Sequence, residues 1–396
     1  MKHLNFFTAG ESHGPGLSAI LEGMPMGMKI DPSIIDAQLA RRQEGYGRGG
    51  RMKIETDRVR ISGGIRHGVT LGGPIALWIG NKDHVNWIGR MDPLAMPKSK
   101  KKIEVVTQPR PGHADLAGYL KTGTEDIRNI LERASARETA ARVAAGTLAR
   151  ILLNELGVTL FSHTLVTGGV RCHPDYDNLD KMEKEAASND LHVADGESYD
   201  RMRKTIKGVW GEGDTLGGVG EVIVRGLPAG IGTYTHWDRR LDARLAQALL
   251  SIPAVKGMEI GPAFENATMR GSRVMDSIKP AGKKSTAEQG RYARSGNRMG
   301  GLEGGMSNGQ PLLIRAAMKP ISTLMQPLDT VDVKTGRKVK ALRERSDAAA
   351  VAAMGVVAEA MTALILADAV LEQFGAVTMK DLKAAWKRHL RQIAKR

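Results

Sequence analysis

Apolar residues recur at helical spacing through Ile34, Ile35 and Leu39, behind an Asp31-Pro32 pair that offers an N-cap and a proline at the first helical position. The spacing predicts a helix ending near Gln43. The same period through Ile127, Ile130, Leu131, Ala134, Leu148, Ile151 and Leu152 predicts one long helix over 124–156, stopped by Gly157. A third Ala-rich helix is expected from Ser346 or Asp347 to Phe374, with Gly375 as its stop. Thr378-x-x-Asp381 opens a C-terminal helix with Leu382, Trp386, Leu390 and Ile393 on one face. Short apolar runs bounded by Gly or Pro predict strands at 17–21, 59–62, 75–79, 221–224 and 312–317. The polar, weakly periodic stretch at about 173–207 reads as a peripheral insertion or partly ordered arm.

The two halves resemble each other. A strand followed by Gly23-Met-Pro-Met-Gly27 is matched by a strand followed by Gly226-Leu-Pro-Ala-Gly230, and Asp36-Ala-Gln-Leu-Ala by Asp242-Ala-Arg-Leu-Ala. Gly-rich stretches of equal length, 64–74 and 301–311, each lead into an apolar strand, and each half ends in a long Ala-rich helix. Four matches in one order predict a degenerate duplication, with pseudo-repeats at about 16–157 and 217–375. The expectation is one α+β domain over 1–396, its two βα layers packed through a shared core.

Composition narrows the function. Glycine accounts for 47 of 396 residues and aromatics for 4%, so backbone geometry is favoured over bulky packing. With 58 Lys and Arg against 43 Asp and Glu the net charge is +15, which predicts anionic partners such as phosphorylated metabolites, nucleic acid or anionic lipid. The lone Cys172 excludes an internal disulfide framework and fits a reducing compartment. No stretch near Met1 has the length of a signal h-region, and the apolar run at 348–371 carries Glu359 and Asp368, reading as a buried helix rather than a span. A cytoplasmic protein is expected.

The sharpest local feature is Gly10-Glu-Ser-His-Gly14, which satisfies the G-x-S-x-G pattern of a hydrolase elbow with Ser12 as nucleophile. An elbow needs a helix directly after the serine, which Gly14-Pro15-Gly16 opposes. His13, flanked by Ser and Gly near a strand end, suits proton transfer at neutral pH. His113 lies in Arg110-Pro-Gly-His-Ala-Asp115, a loop fixed by Pro and Gly beside a permanent cation. Gly45-Tyr-Gly-Arg48-Gly-Gly50-Arg51, preceded by Arg41 and Arg42, matches G-x-G-x-x-G but follows a helix. It reads as a guanidinium clamp for phosphate or carboxylate, with an RGG-like RNA patch as the competing reading. In Glu132-Arg-Ala-Ser-Ala-Arg-Glu138, Arg133 and Arg137 are expected on one helical face, with intrahelical ion pairs as the alternative. Gly300 to Gly305 would let backbone N–H groups approach a bulky anion or planar ring, Lys319-Pro-Ile-Ser-Thr323 offers a cation and two hydroxyls, and Arg345-Ser-Asp347 precedes the Ala-rich helix. No P-loop, H-E-x-x-H or cysteine pair occurs, so no metal is expected. Two placed histidines among anion clamps point to proton management on a multiply charged small molecule.

Taken in order, these motifs resemble the chorismate synthase family over nearly the whole chain, from about Leu4 to Phe374. The resemblance implies a layered β-α-β sandwich assembled as a homotetramer. It further implies conversion of 5-enolpyruvylshikimate 3-phosphate to chorismate and phosphate by an anti 1,4-elimination, the last step of the shikimate pathway. Reduced FMN is implied without net redox change, donating an electron transiently while its N5 accepts the C6 proton. On this resemblance Ser12, Arg42, Arg48, Arg51, Arg110, Ser135 and Arg137 would hold the substrate. His13 would protonate the departing phosphate, His113 would protonate the reduced flavin near N1 and O2, and Asp347 would help remove the proton from N5. FMN contacts would come from Arg133, Ala134, Ser135, Ala254, Gly304, Lys319, Pro320, Ile321, Ser322, Thr323 and Arg345, and Arg42 and Arg48 also match positions assigned to NADPH. Pro253 stands where relatives can carry a polar side chain beside the flavin. Length and the lack of large insertions favour a monofunctional member that takes reduced FMN from an external flavin reductase, NADPH serving as indirect reductant, with no nucleic-acid or membrane partner.

Overall fold

The computed structural model describes residues 1–49, 55–94, 105–282, 286–344 and 346–396. Strands β1 (Asn5–Ala9), β2 (Gly16–Glu22), β3 (Val59–Gly63) and β4 (Ile75–Gly80) form an antiparallel sheet in the order β1-β2-β4-β3. A second antiparallel sheet is built from β5 (Thr159–Thr167), β6 (Val170–Arg171), β7 (Gly218–Arg225), β8 (Val255–Ile260) and β9 (Leu312–Met318), ordered β8-β9-β7-β5-β6. Between them lies a helical layer: α1 (Pro32–Gln43), α3 (Thr139–Asn154), α6 (Leu241–Leu250) and α7 (Val351–Phe374). Helix α2 (Asp115–Thr122) sits at the rim and α8 (Met379–Lys395) closes the chain. The architecture is α+β, a β-α-β sandwich.

Both halves run strand, helix, strand, strand, helix: β2-α1-β3-β4-α3 and β7-α6-β8-β9-α7. The equivalent strands take the same spatial order, β2-β4-β3 against β7-β9-β8. Each strand of the first sheet turns alternate residues inward, Leu17, Ala19 and Leu21 from β2 and Ile75, Leu77 and Ile79 from β4, and these meet the apolar faces of α1 and α3 in one core. Helix α7 is long and apolar enough to cross a membrane, yet every residue from Val351 to Leu371 is buried inside the protein. It can be so apolar because neighbours surround it on all sides. Gly146 permits the closest approach of α3 to α7, since a Cβ there would lie 2.6 Å from both the Cβ and the carbonyl oxygen of Ala360.

One buried carboxylate ties four elements together. Glu359 of α7 accepts from Arg41 of α1 at 2.9 and 3.1 Å, from Arg150 of α3, and from the Ser162 hydroxyl of β5 at 2.6 Å. Burial pushes its pKa up, but the two guanidinium groups outweigh that and hold it down at about 2.

Helix α1 starts as read from the sequence, with the Asp31 carboxylate accepting from Ser33 N–H, and Thr378 likewise caps α8. The expected 124–156 helix is instead broken. Only Arg128–Leu131 and Thr139–Asn154 are α-helical, because Ser135 turns extended (φ −65°, ψ 145°) and caps a 3-10 turn at Ala136–Glu138. Helix α7 begins at Val351 rather than at 346 or 347, since Asp347 is drawn to Arg48 and Gly49 and does not cap it. The 173–207 stretch folds into α4 (Leu179–Ala187) and α5 (Gly196–Gly211), which pack over the second sheet on a small core of Met182, Val193, Met202 and Ile206. Strands β1, β5, β6 and β8 are additional to those expected.

Candidate active site

The first loop of the site joins β1 to β2. Gly10 turns it at φ +107°, where a Cβ would lie 2.3 Å from the carbonyl oxygen of Gly16. The Asn81 side chain then gathers it, donating to the carbonyls of Glu11 (3.0 Å), Ser12 (3.2 Å) and Gly14 (2.8 Å). Ser12 is buried, and the loop links two antiparallel strands instead of feeding a helix, which removes the hydrolase elbow. His13 Nδ1 lies 2.9 Å from both Glu132 oxygens, and its ring stacks on Trp87 at 4.0 Å.

The second loop carries His113. Arg110 is clamped by the fully buried Asp115 at the start of α2, through its backbone N–H (3.0 Å) and Nε (2.8 Å), while His113 Nδ1 lies 2.5 Å from the other Asp115 oxygen. Burial raises the pKa of Asp115, but hydrogen bonds from His113 and Arg110 outweigh it and keep this carboxylate well below its usual range. Arg110 Nη2 also lies 3.0 Å from His113 Nδ1, so both a carboxylate acceptor and a guanidinium donor face that nitrogen. Ser322 donates to Gly112 O (2.8 Å) and Arg110 to Thr323 Oγ1 (3.0 Å), which stitches this loop to Lys319-Pro-Ile-Ser-Thr323 beyond β9. Lys319 Nζ donates to Ser322 Oγ at 2.7 Å; burial, with Lys256 nearby, lowers its pKa.

The anion clamps are braced from behind. Arg137 gives NH1 to Asp57 and Nε to Asn81 Oδ1 at 2.8 Å each, and Arg42 reaches the same Asp57 at 2.8 Å. Burial pushes the pKa of Arg42 down to about 10, leaving it a cation at neutral pH, while Asp57 is held low by the pair of guanidinium groups against its own burial. Arg48 Nε pairs with Asp347 at 2.9 Å, and Asp347 also accepts from Gly49 N–H.

These loops enclose one cavity of about 820 Å³. Ser12, His13, Arg42, Arg48, Arg110, His113, Ala134, Ser135, Arg137, Ala254, Lys319, Ile321, Ser322, Thr323 and Asp347 all line it. Among the described lining residues seven are Arg or Lys and two are carboxylates, so the space selects for anions. Its floor is apolar, from Ile252, Met318, Ala350, Met354 and Val357. Ala254 holds the left-handed conformation, φ +69°, which an alanine adopts only where its surroundings enforce it.

Three expected contacts lie elsewhere. Arg133 turns away from the cavity to the Thr8 carbonyl (2.8 Å) and Gly10 carbonyl (3.2 Å), so it does not share a face with Arg137. Gly304 sits on the small hairpin of Leu302–Glu303 and Met306–Ser307, and Pro320 faces outward; neither lines the cavity. Arg51 and Arg345 lie outside the described residues. The sequence reading missed Asp57, Asn81, Trp87, Arg128 and Glu344. Arg128 opens a single helical turn and the other four lie in loops or short turns without periodicity, and only the fold gathers them.

A cationic cleft with apolar residues in its lining and two carboxylate-held histidines is the site of an enzyme acting on a small polyanion. The chain matches the chorismate synthase family over residues 4–371, and it belongs to that family. It is 50% identical over 382 residues to the chorismate synthase of Trichlorobacter lovleyi, covering 96% of this chain and 97% of the relative. It is 51% identical over 393 residues to that of Moorella thermoacetica, covering 98% and 100%. A crystal structure of chorismate synthase superposes with a TM-score of 0.79 at 36% identity, covering the whole of both chains. The chain is accordingly a chorismate-forming lyase.

Proposed function

We propose that this cavity carries out the anti 1,4-elimination of phosphate from 5-enolpyruvylshikimate 3-phosphate, with reduced FMN bound beside the substrate and no net redox change. The observation that carries the reading is the convergence of His13, His113 and the braced arginines on one cavity with an apolar floor. The residues present fit the flavin. An 820 Å³ space has room for a ring system and a second small ligand, its floor offers flat apolar contact, and Arg42 Nε is buried without a partner among the described residues. Bound reduced FMN would supply a transient electron and a basic N5 for the C6 proton.

The chain's own residues supply the rest. Arg42, Arg48, Arg110 and Arg137 bind the substrate's phosphate and carboxylates, and because Asp57, Asp115 and Asp347 already hold those side chains, little ordering remains to be done on binding. His13 delivers a proton to the departing phosphate, which otherwise leaves as a fuller trianion. His113 holds a proton for the cofactor, and Asp347 is the cavity carboxylate that takes one up. Ala134, Ser135, Ala254 and the Lys319 loop wall in the flavin. The reading extends to an external source of reduced FMN with NADPH as indirect reductant, a cytoplasmic location and a homotetramer. The exposed Phe7, Ile20 and Trp78 on the outward face of the first sheet support self-association.

The experiment is an anaerobic assay with chemically reduced FMN and the enolpyruvyl substrate, following phosphate release and chorismate absorbance together. Both should appear only with reduced flavin. Phosphate-free mixtures, combined with salt-dependent retention on an RNA column, would replace this reading with a nucleic-acid one.

A further inference from the structure

We propose that Glu132 is the positioning residue of His13: it accepts the imidazole Nδ1–H and thereby assigns Nε2 as the nitrogen that trades a proton with the leaving phosphate. The inference deepens the proposed function and rests on its placement of His13 as proton donor. The geometry is unusually complete. Both Glu132 oxygens lie 2.9 Å from Nδ1, and Oε2 also accepts the His13 backbone N–H at 2.9 Å, so one carboxylate fixes the ring and the peptide that carries it. Glu132 is 1% exposed. Burial raises its pKa, but hydrogen bonds and charge from His13, with Arg128 adding to them, outweigh that and keep it ionised. An ionised carboxylate accepts and never donates, so the opposite tautomer would set a lone pair against its oxygens.

The ring is also confined on its face. Trp87 stacks on it at 4.0 Å with 26° between planes, the Arg128 guanidinium lies 5.0 Å from the Trp87 ring centre, and Arg128 NH1 returns to Glu132 at 3.0 Å. His13, Trp87, Arg128 and Glu132 therefore close a cycle in which no member rotates alone. Asp83 also faces the ring, 4.0 Å from Nε2, so of these two carboxylates Glu132, at 2.9 Å from Nδ1, is the one at hydrogen-bond length. Glu132 and Arg128 share one helical turn, Glu132 still in helical geometry with its N–H on the Arg128 carbonyl, and the chain leaves that geometry only at Ser135.

The test uses the intact protein labelled with ¹⁵N-histidine, its His13 signals assigned by difference from His13→Gln. In the unmodified protein the neutral ring should show a protonated Nδ1 and a bare Nε2, and Glu132→Gln should give mixed tautomers. With reduced FMN, Glu132→Gln should lower kcat roughly 10- to 100-fold, as removal of a histidine's carboxylate partner does, with KM unchanged. Glu132→Asp should recover part of the loss. The ring that donates is the imidazolium, protonated on both nitrogens; a neutral ring in the unmodified protein with its proton on Nε2 and a bare Nδ1 overturns the inference without any variant needing to fold. So does unaltered tautomer and kcat in Glu132→Gln while His13→Ala is inactive. Full turnover by His13→Ala would instead overturn the placement of His13 itself.

Discussion

Replacing Glu359 by glutamine keeps the side chain's shape and removes the charge that Arg41 and Arg150 share. The folded-state pKa of about 2 stands against an ordinary 4.5, and 2.5 units at 1.36 kcal/mol each correspond to about 3 kcal/mol. Because the folded value is depressed, this stabilisation is fully present above pH 4.5 and disappears as pH falls toward 2. At pH 3 about 2 kcal/mol of it is already lost. Breaking a buried pair leaves its cations uncompensated, a loss on the order of 3–5 kcal/mol, so E359Q should be destabilised by about 3 kcal/mol at pH 7. The two proteins should then draw closer as the medium is acidified. Urea denaturation of both at pH 7 and pH 3 reads this directly. Equal stability at pH 7, or a gap that stays constant down to pH 3, would refute the assignment of Glu359 as an ionised pin. Neither Glu359 nor its partners Arg41, Arg150 and Ser162 lines the cavity, so folded E359Q should turn over normally.

His13→Ala should lower kcat by roughly 10²-fold, the scale of a lost general acid, measured with chemically reduced FMN so that flavin supply does not limit the rate. Asp57→Asn strands Arg42 and Arg137 without their shared carboxylate and should cost about 3–5 kcal/mol in denaturant unfolding at neutral pH, with the difference shrinking as acid protonates the wild-type Asp57. Gly146→Val drives a side chain into Ala360 and should lower stability by about 1–3 kcal/mol, seen as an earlier thermal midpoint; an unchanged midpoint would show that α3 and α7 can separate freely.

What the sequence revealed was local physics. The Asp31 and Thr378 caps act within three residues of themselves, so α1 and α8 start where the pattern places them. Strands with one open face, such as β2 and β4, betray themselves by alternation, whereas β5 is buried on both faces from Leu160 to Leu165 and has no alternation to read. The errors fall where distant residues override local preference. Ala, Arg and Glu between 132 and 138 favour helix, yet Ser135 turns extended and Arg137 is claimed by Asp57 and Asn81. Asp347 offers a cap by its position but is drawn to Gly49 and Arg48. Most of the proposed cavity residues were visible as motifs; the acids and amides that brace them were not, because a brace is defined by what it touches.

Asn81 bridges two parts of the cavity wall. Its amide nitrogen grips the peptide that leads into His13, the proposed proton donor, while its oxygen holds Arg137, proposed for the ligand's anionic end. A ligand that tugs on Arg137 therefore tugs on His13 as well, through a single planar group that cannot stretch. On the proposed roles, recognition and reaction are geared together, and an analogue too short to engage the arginine would find the acid out of alignment even if it entered.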